Sequence, residues 1–399
     1  MCNGQKTLSE ILKDYDSDSR KVALKFLKNL QQIGAICFTN ENPRNFSDLV
    51  KDPQLQSIHF ELTSRCNMKC LHCYQESYLR KSTDLTFAEI QKLIWEMQKL
   101  QVEKVGISGG EPFMRADLFE IINMIEENEI AISSILTNGL LLNDEIIEKL
   151  HKCQGQFPLF VSLDGMQPES MKLRGFKPNQ YKQVFERLVR NIQTAVEAGI
   201  PIMINTVVTK DNIVDLCQMY DWLKEMKVIG WRIALPKLVG AFRKYHSEFS
   251  LSKEEIFEAY LRIIKRHLAT ENSMNNNFRL QIEHFFRLEV FENLEFLPPT
   301  AFACDYDGKR QSCCIKPNGD VTPCPLFVLP IGNVRKQSLE SIVIEMLKDE
   351  YWRVRMVAVQ ALAEIRGVCA ATSALRKLLK DKSRPVRMAA SKALDQFTD

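Results

Sequence analysis

Apolar and polar residues take turns along SIHFEL (57–62), which predicts a half-buried strand. In TFAEIQKLIWEMQKL (86–100) the apolar positions recur every three or four residues, which predicts a helix. The two patterns then alternate down the chain. Strand KVGISGG leads to helix LFEIINMIEEN, strand SSILTNG to helix DEIIEKLHK, and strand LFVSLDG to helix YKQVFERLVRNIQTAVEAG. Strand IPIMINTVVT, helix VDLCQMYDWLKEM and strand GWRIAL complete the series. Strands separated by helices of this length pair in parallel, so the fold class is α/β. Six such units fall short of the eight that close a barrel, and the expected architecture over residues 55–250 is a partial (β/α)6 TIM-like barrel. Chemistry in such folds sits at the C-terminal ends of the strands. The polar and glycine-rich signals fall there: Cys66 after the first strand, Gly109–Glu111 after the second, Asn138–Gly139 after the third, Asp164–Gly165 after the fourth.

The flanks read differently. Residues 1–46 form a helical segment, with amphipathic helices at 7–15 and 20–36 and a linker at Asn40–Phe46. Residues 251–300 read as a helical connector. Residues 301–345 form a small cysteine-containing extension, in which Pro317-Asn318-Gly319-Asp320 has the chemistry of a hairpin turn. In 346–399, Val354-Arg355-Met356 with Ala358, Ala361 and Leu362 recurs as Val386-Arg387-Met388 with Ala390, Ala393 and Leu394. A period of about 32 residues, with Ala at the helix contacts, predicts stacked HEAT-like helical repeats. In its last fifty residues, 350–399, ten Lys and Arg face five acids, which reads either as a solvated cap or as a surface for an acidic protein partner.

Of 399 residues, 45% are hydrophobic and 26% charged, a balance that buries a sizeable core and excludes a disordered or fibrous chain. A net charge of +3 is too mild to argue for nucleic acid or membrane as a partner. No apolar run is long enough to span a bilayer, and MCNGQKTLSE lacks a signal core, so the expected compartment is the cytoplasm. Twelve cysteines in a reducing compartment then point to metal or redox chemistry rather than disulfides.

Those cysteines are clustered. Cys66, Cys70 and Cys73 form C-x3-C-x2-C; Cys304, Cys313, Cys314 and Cys324 form a second group. The other five (Cys2, Cys37, Cys153, Cys217 and Cys369) stand alone and read as small hydrophobes. Three thiolates within eight residues suit three irons of a [4Fe–4S] cube, with the fourth iron open. Zinc is the alternative, but structural zinc sites close with four protein ligands and no fourth lies at a zinc-like spacing.

At Cys66-Cys70-Cys73 the sequence resembles the radical S-adenosylmethionine (SAM) enzymes, over roughly residues 55–330. Ser108-Gly109-Gly110-Glu111-Pro112 looks like that family's GGEP segment, which the resemblance implies binds the SAM amino group. His72 matches the position whose backbone meets adenine. Asn138 and Ser162 match positions near the SAM methionine and ribose, and Arg174 the place of a carboxylate-binding guanidinium. The resemblance implies a [4Fe–4S] cluster, SAM, and an electron donor such as flavodoxin or ferredoxin. The implied reaction is reductive cleavage of SAM to a 5′-deoxyadenosyl radical that takes a hydrogen from substrate.

IKPNGDVTPCPLF resembles the hairpin of a SPASM or twitch extension, here short of the family's later cysteines. It leaves room for one auxiliary [4Fe–4S] cluster, on Cys304, Cys314 and Cys324, with Cys313 as the alternative to Cys314; a degenerate extension without a cluster is the other reading. Adjacent residues on a strand face opposite ways, which is why one of the pair is expected to ligate. The N-terminal segment resembles the helical end of a peptide-recognition element found on maturases of ribosomal peptides, with the strands that normally open it not present. Together these imply a peptide maturase that forms a thioether or carbon–carbon cross-link in a precursor peptide. The alternatives are chemistry on a small molecule, such as a tetrapyrrole or cofactor precursor, and a non-catalytic repeat-bearing scaffold.

Overall fold

The computed structural model describes residues 57–75, 83–271, 278–283, 312–326, 329–346 and 369–395. The N-terminal helices expected before residue 46, Cys304 and the first repeat copy at 354–362 lie outside the described residues.

All six expected strands form: β1 Ser57–Glu61, β2 Lys104–Ser108, β3 Ala131–Thr137, β4 Leu159–Ser162, β5 Ile202–Val207 and β6 Gly230–Ala234. They pair in parallel in sequence order. Between them run α1 Phe87–Lys99, α2 Leu118–Glu127, α3 Asp144–His151, α4 Tyr181–Glu197 and α5 Leu216–Glu225. Two helices follow, the eight-residue α6 Phe242–Phe249 and the 19-residue α7 Lys253–Glu271, the latter the start of the expected connector. That connector is not helical throughout. Arg279–Ile282 is a strand, β7, added in parallel to β6.

The extension joins the same sheet. β8 Ser312–Ile315 lies parallel to β1, with Ile58 opposite Cys313 and His59 opposite Cys314. β9 Asp320–Thr322 and β10 Gly332–Asn333 then turn antiparallel, giving ten strands in the order β10-β9-β8-β1-β2-β3-β4-β5-β6-β7. The hairpin is therefore an edge of the barrel sheet, not a separate module. After it come α8 Leu339–Met346, α9 Cys369–Leu378 and α10 Arg384–Asp395; α9 and α10 pack together, as a helical repeat requires.

Strand register sorts the sheet into two faces. Ile58, Val105, Ile135, Leu159, Ile202 and Trp231 share one face and are all but fully buried against the helices. The wall is continuous because each helix contributes a stripe at helical spacing, such as Ile90, Leu93, Ile94 and Met97 of α1. Thr86 caps α1 with a reciprocal bond to Glu89, fixing where that helix starts. On the inner face stand His59, Glu61, Ser108, Phe160, Ser162, Asn205, Arg232 and Cys314, a largely polar set. A closed barrel packs its interior with branched apolar side chains, whereas this one keeps a polar lining.

Candidate functional site

β1 ends at Glu61 and the chain enters the loop that carries the cysteines. The loop is tied to β2 from its first residues. Leu62 N–H donates to Ser108 O (2.8 Å), Gly110 N–H to Thr63 O (2.7 Å) and Glu111 N–H to Arg65 O (2.8 Å). Arg115, itself buried, donates from Nη1 to Leu62 O (2.9 Å). The glycine segment thus lies flush against the loop that holds Cys66, Cys70 and Cys73, all three half-buried. Burial pushes the Cys66 thiol up to about 11 and the Cys70 thiol up to about 12. Cys66 senses Cys73, and Cys70 senses both neighbours, with Arg174 pulling its pKa the other way.

Glu111 is the node behind this loop. Its carboxylate accepts from Asn138 N–H (2.7 Å), the Thr137 hydroxyl (2.8 Å) and Phe113 N–H (3.3 Å). Burial raises its pKa to about 7 against the pull of those bonds. The acid therefore joins the end of β2 to the end of β3. Asn138 in turn points its amide at Asn67 Oδ1 (2.6 Å) and at Cys66 Sγ (3.9 Å). Ser108 is held by His59 across the two strands, Oγ to Nε2 at 2.6 Å. Burial keeps His59 neutral at pH 7, its pKa lowered to about 4.

Arg174 is buried and pairs with Asp164, Nε to Oδ2 at 2.6 Å, while Asp164 Oδ1 accepts from Val207 N–H (2.9 Å). The guanidinium expected to meet a carboxylate is thus held beside Cys70 by one of the protein's own. His72 is half-buried next to it with its pKa lowered by burial to about 4, and its enclosed Nδ1 has no partner among the described residues. Ser162 sits half-buried at the end of β4, opposite Asn205, whose Oδ1 is also unpartnered. A cavity of about 310 Å³ opens beyond these strands, lined among others by Asp164, Gln167, Lys172, Asp211 and Asn212.

Two glycines far along the sequence close on the cysteine loop. Gly175 has φ +82° and any Cβ there would overlap the Lys69 carbonyl. Gly240 has φ +58° and a Cβ would overlap the carbonyls of Cys73 and Tyr74. Leu71 N–H donates to Leu173 O (2.9 Å) and Ala241 N–H to Cys73 O (3.0 Å). Backbone from three different β/α loops therefore grips one short segment, which only glycine allows at such approach.

The inner face holds groups that motif reading missed. Tyr74 donates to Glu61 Oε1 (2.9 Å), and Lys316 Nζ lies 3.2 Å from the same oxygen. Arg232 pairs with Glu283 and lies over the Phe160 ring; Lys237 also reaches Glu283 (3.5 Å). Their signal was the alternation itself, since every second residue of Ser57–Glu61 is polar. In the extension, Cys313 joins the apolar wall, whereas Cys314 faces Glu61 and Lys316 with burial raising its thiol pKa well above normal. The expectation that the adjacent pair divides between two faces is thus met in the geometry, with Cys314 inward and Cys324 buried near Thr322.

Three thiols on one loop are the donor set an iron–sulfur cube takes, and three are one short of closing a zinc site. Among the described residues no three metal-ligating side chains are gathered at bonding distance, but the loop is enclosed by backbone and backed by the unpartnered His72 Nδ1. The high thiol pKa values come mainly from burial, which a bound metal's charge reverses. The residues fit the group.

The chain is similar to known families and proteins. The family model described as Radical SAM superfamily matches residues 60–223. One for an iron–sulfur cluster-binding domain (SPASM) matches 304–364, and one for HEAT repeats matches 339–399. The chain is 30% identical over 273 residues to a probable GTP 3',8-cyclase of Methanococcus aeolicus, covering 66% of this chain and 86% of that protein. It is 29% identical over 299 residues to an AdoMet-dependent heme synthase of Methanosarcina barkeri, covering 71% and 81%. In structure it is similar to Streptococcus suis SuiB bound to the precursor peptide SuiA, with a TM-score of 0.55, 18% identity, and coverage of 80% of this chain and 77% of that one. At that identity the likeness is one of fold.

Proposed function

The chain belongs to the Radical SAM superfamily, and from that premise we propose that it acts on a small, polar, ionised molecule at the inner face of its barrel. The family's chemistry rests on a [4Fe–4S] cluster and SAM. When bound, the cluster supplies the electron that cleaves the sulfonium of SAM to give a 5′-deoxyadenosyl radical. On this reading Cys66, Cys70 and Cys73 hold it, while Gly109 and Gly110 present backbone to the SAM amino group. Glu111 keeps the ends of β2 and β3 at fixed separation. Asp164, which pairs with Arg174 beside Cys70, also lines the cavity. Cys304, Cys314 and Cys324 are the candidates for an auxiliary cluster.

The observation that carries the substrate class is the lining. Buried or half-buried ionic and polar groups (His59, Glu61, Arg232, Lys316) occupy positions that a packed core gives to Val and Leu. These groups pair among themselves, Glu61 with Lys316 and Tyr74 and Arg232 with Glu283, and a face lined with such groups suits a ligand with several polar groups. The sequence relatives named above, a GTP cyclase and a heme synthase, support the same class. A second reading, the peptide maturase, draws on the fold shared with SuiB, whose structure holds a precursor peptide.

The test is 5′-deoxyadenosine formation by the anaerobically reconstituted protein with dithionite and SAM. GTP, an iron-bearing tetrapyrrole acid and short peptides encoded near its gene are added separately. The reading expects GTP or the tetrapyrrole to raise the rate at least about tenfold over SAM alone and to change in mass. Stimulation and mass change confined to a peptide would overturn it in favour of the second reading.

A further inference from the structure

The segment that connects the cysteine loop to α1 is clamped from both sides. On the loop side, the Asp84 carboxylate accepts three bonds from the residues just ahead of Cys66. These come from the Thr63 hydroxyl (2.6 Å), Ser64 N–H (3.0 Å) and the Ser64 hydroxyl (2.7 Å). On the other side stands the hairpin of the extension. Leu85 N–H donates to Pro317 O (2.7 Å). Arg335 reaches Glu89 with Nε (2.7 Å) and Nη2 (3.0 Å), Thr83 O with Nη1 (2.9 Å) and Asp84 O with Nη2 (3.0 Å). One guanidinium thus fixes both ends of residues 83–89, while 335 and 84 are separated by most of the barrel in sequence.

We propose that Asp84 and Arg335 are positioning residues for the cysteine loop, through which the extension braces the cluster-binding segment of the barrel. Arg335 immobilises residues 83–89, and Asp84 passes that rigidity to Thr63 and Ser64. A carboxylate taking three bonds from two adjacent residues leaves them one conformation, and charge-assisted bonds of this kind are the strong ones. The planar fork of arginine is what spans a carboxylate and two carbonyls at once; a lysine ammonium in its place meets one of them. The extension then has a role in holding the SAM-cluster loop that is separate from any cluster of its own. The inference rests on the cysteine loop being the cluster site, and not on which substrate is used.

The loop can be read before any cluster is loaded. In the intact, metal-free chain, alkylation of each cysteine by iodoacetamide is followed by mass spectrometry. Asp84→Ala is expected to speed alkylation of Cys66, Cys70 and Cys73 about tenfold, the size expected when charge-assisted bonds are lost. Cys153, just past the end of α3, and Cys217, in α5, are both half-buried, serve as internal controls and keep their wild-type rates. Arg335→Lys shows the same pattern at smaller amplitude, despite keeping the charge. After anaerobic reconstitution both variants hold less iron than the wild type. If Asp84→Ala accelerates all five thiols together, the comparison is decided by Arg335→Lys. Wild-type loop rates in Arg335→Lys, or equal acceleration at Cys153 and Cys217, overturn the proposal. A cysteine loop that proves not to bind iron at all shows itself in the wild type, and so is told apart from failure of the brace.

Discussion

His59 shows how one inner-face side chain can govern stability from outside the loop of Cys66, Cys70 and Cys73. Its ring faces Ser108 and is otherwise enclosed, so the folded state holds it neutral with a pKa of about 4, against 6.5 when exposed. Between those values the unfolded chain carries a proton that the folded chain does not. Stability from this group is therefore full above pH 6.5 and is lost as pH falls toward 4. Glu111 works with the opposite sign: its pKa is raised from 4.5 to about 7, so its contribution is lost as pH rises over that range. Replacing His59 with Asn keeps a polar partner for Ser108 and removes the titration. Urea unfolding at several pH values should show the variant losing up to about 2 kcal/mol less than wild type between pH 6.5 and 4. Parallel curves for the two proteins would mean that His59 is not desolvated. Much of the site at this scale was legible in the sequence, because Cys66, Cys70, Cys73 and Gly109–Glu111 are local motifs. Asp84, Arg335 and the pairing of Arg174 with Asp164 were not, since each joins residues that only the fold brings together.

At the scale of elements, the β/α units act as jaws around one loop. The strand–helix alternation made the six strands and the ends that bear chemistry readable. It did not reveal β7, which is four residues long and alternates exposed with half-buried positions amid a helical segment. Nor could it show β8 lying parallel to β1, because that pairing joins Ile58 to Cys313 across the whole barrel. The jaws depend on glycine at two points. Gly175→Ala and Gly240→Ala each place a side chain at positive φ, at a cost of about 1–3 kcal/mol, and against a loop carbonyl. Both variants should bind less iron than wild type after reconstitution while retaining the far-ultraviolet circular dichroism of the α/β fold. Full iron binding in both would show that the loop does not need this close approach.

For the whole molecule, a single sheet carries the cysteine loop at the end of β1, a polar inner face along its centre, and the extension as its edge. Among the described residues no helix is long and apolar enough to cross a membrane. The repeat-like helices α9 and α10 follow the extension in sequence and carry Arg376, Lys377, Arg384, Arg387 and Lys392 among the basic residues of 350–399. What unites these parts is the claim that three thiols at the mouth of the barrel hold the cluster that cleaves SAM. The most direct test compares wild type with the Cys66→Ala/Cys70→Ala/Cys73→Ala variant for iron, sulfide and 5′-deoxyadenosine after anaerobic reconstitution. Wild type should gain about four irons more than the variant and form 5′-deoxyadenosine from SAM, and the variant should form none. Equal iron and equal SAM cleavage in the two proteins would contradict the account.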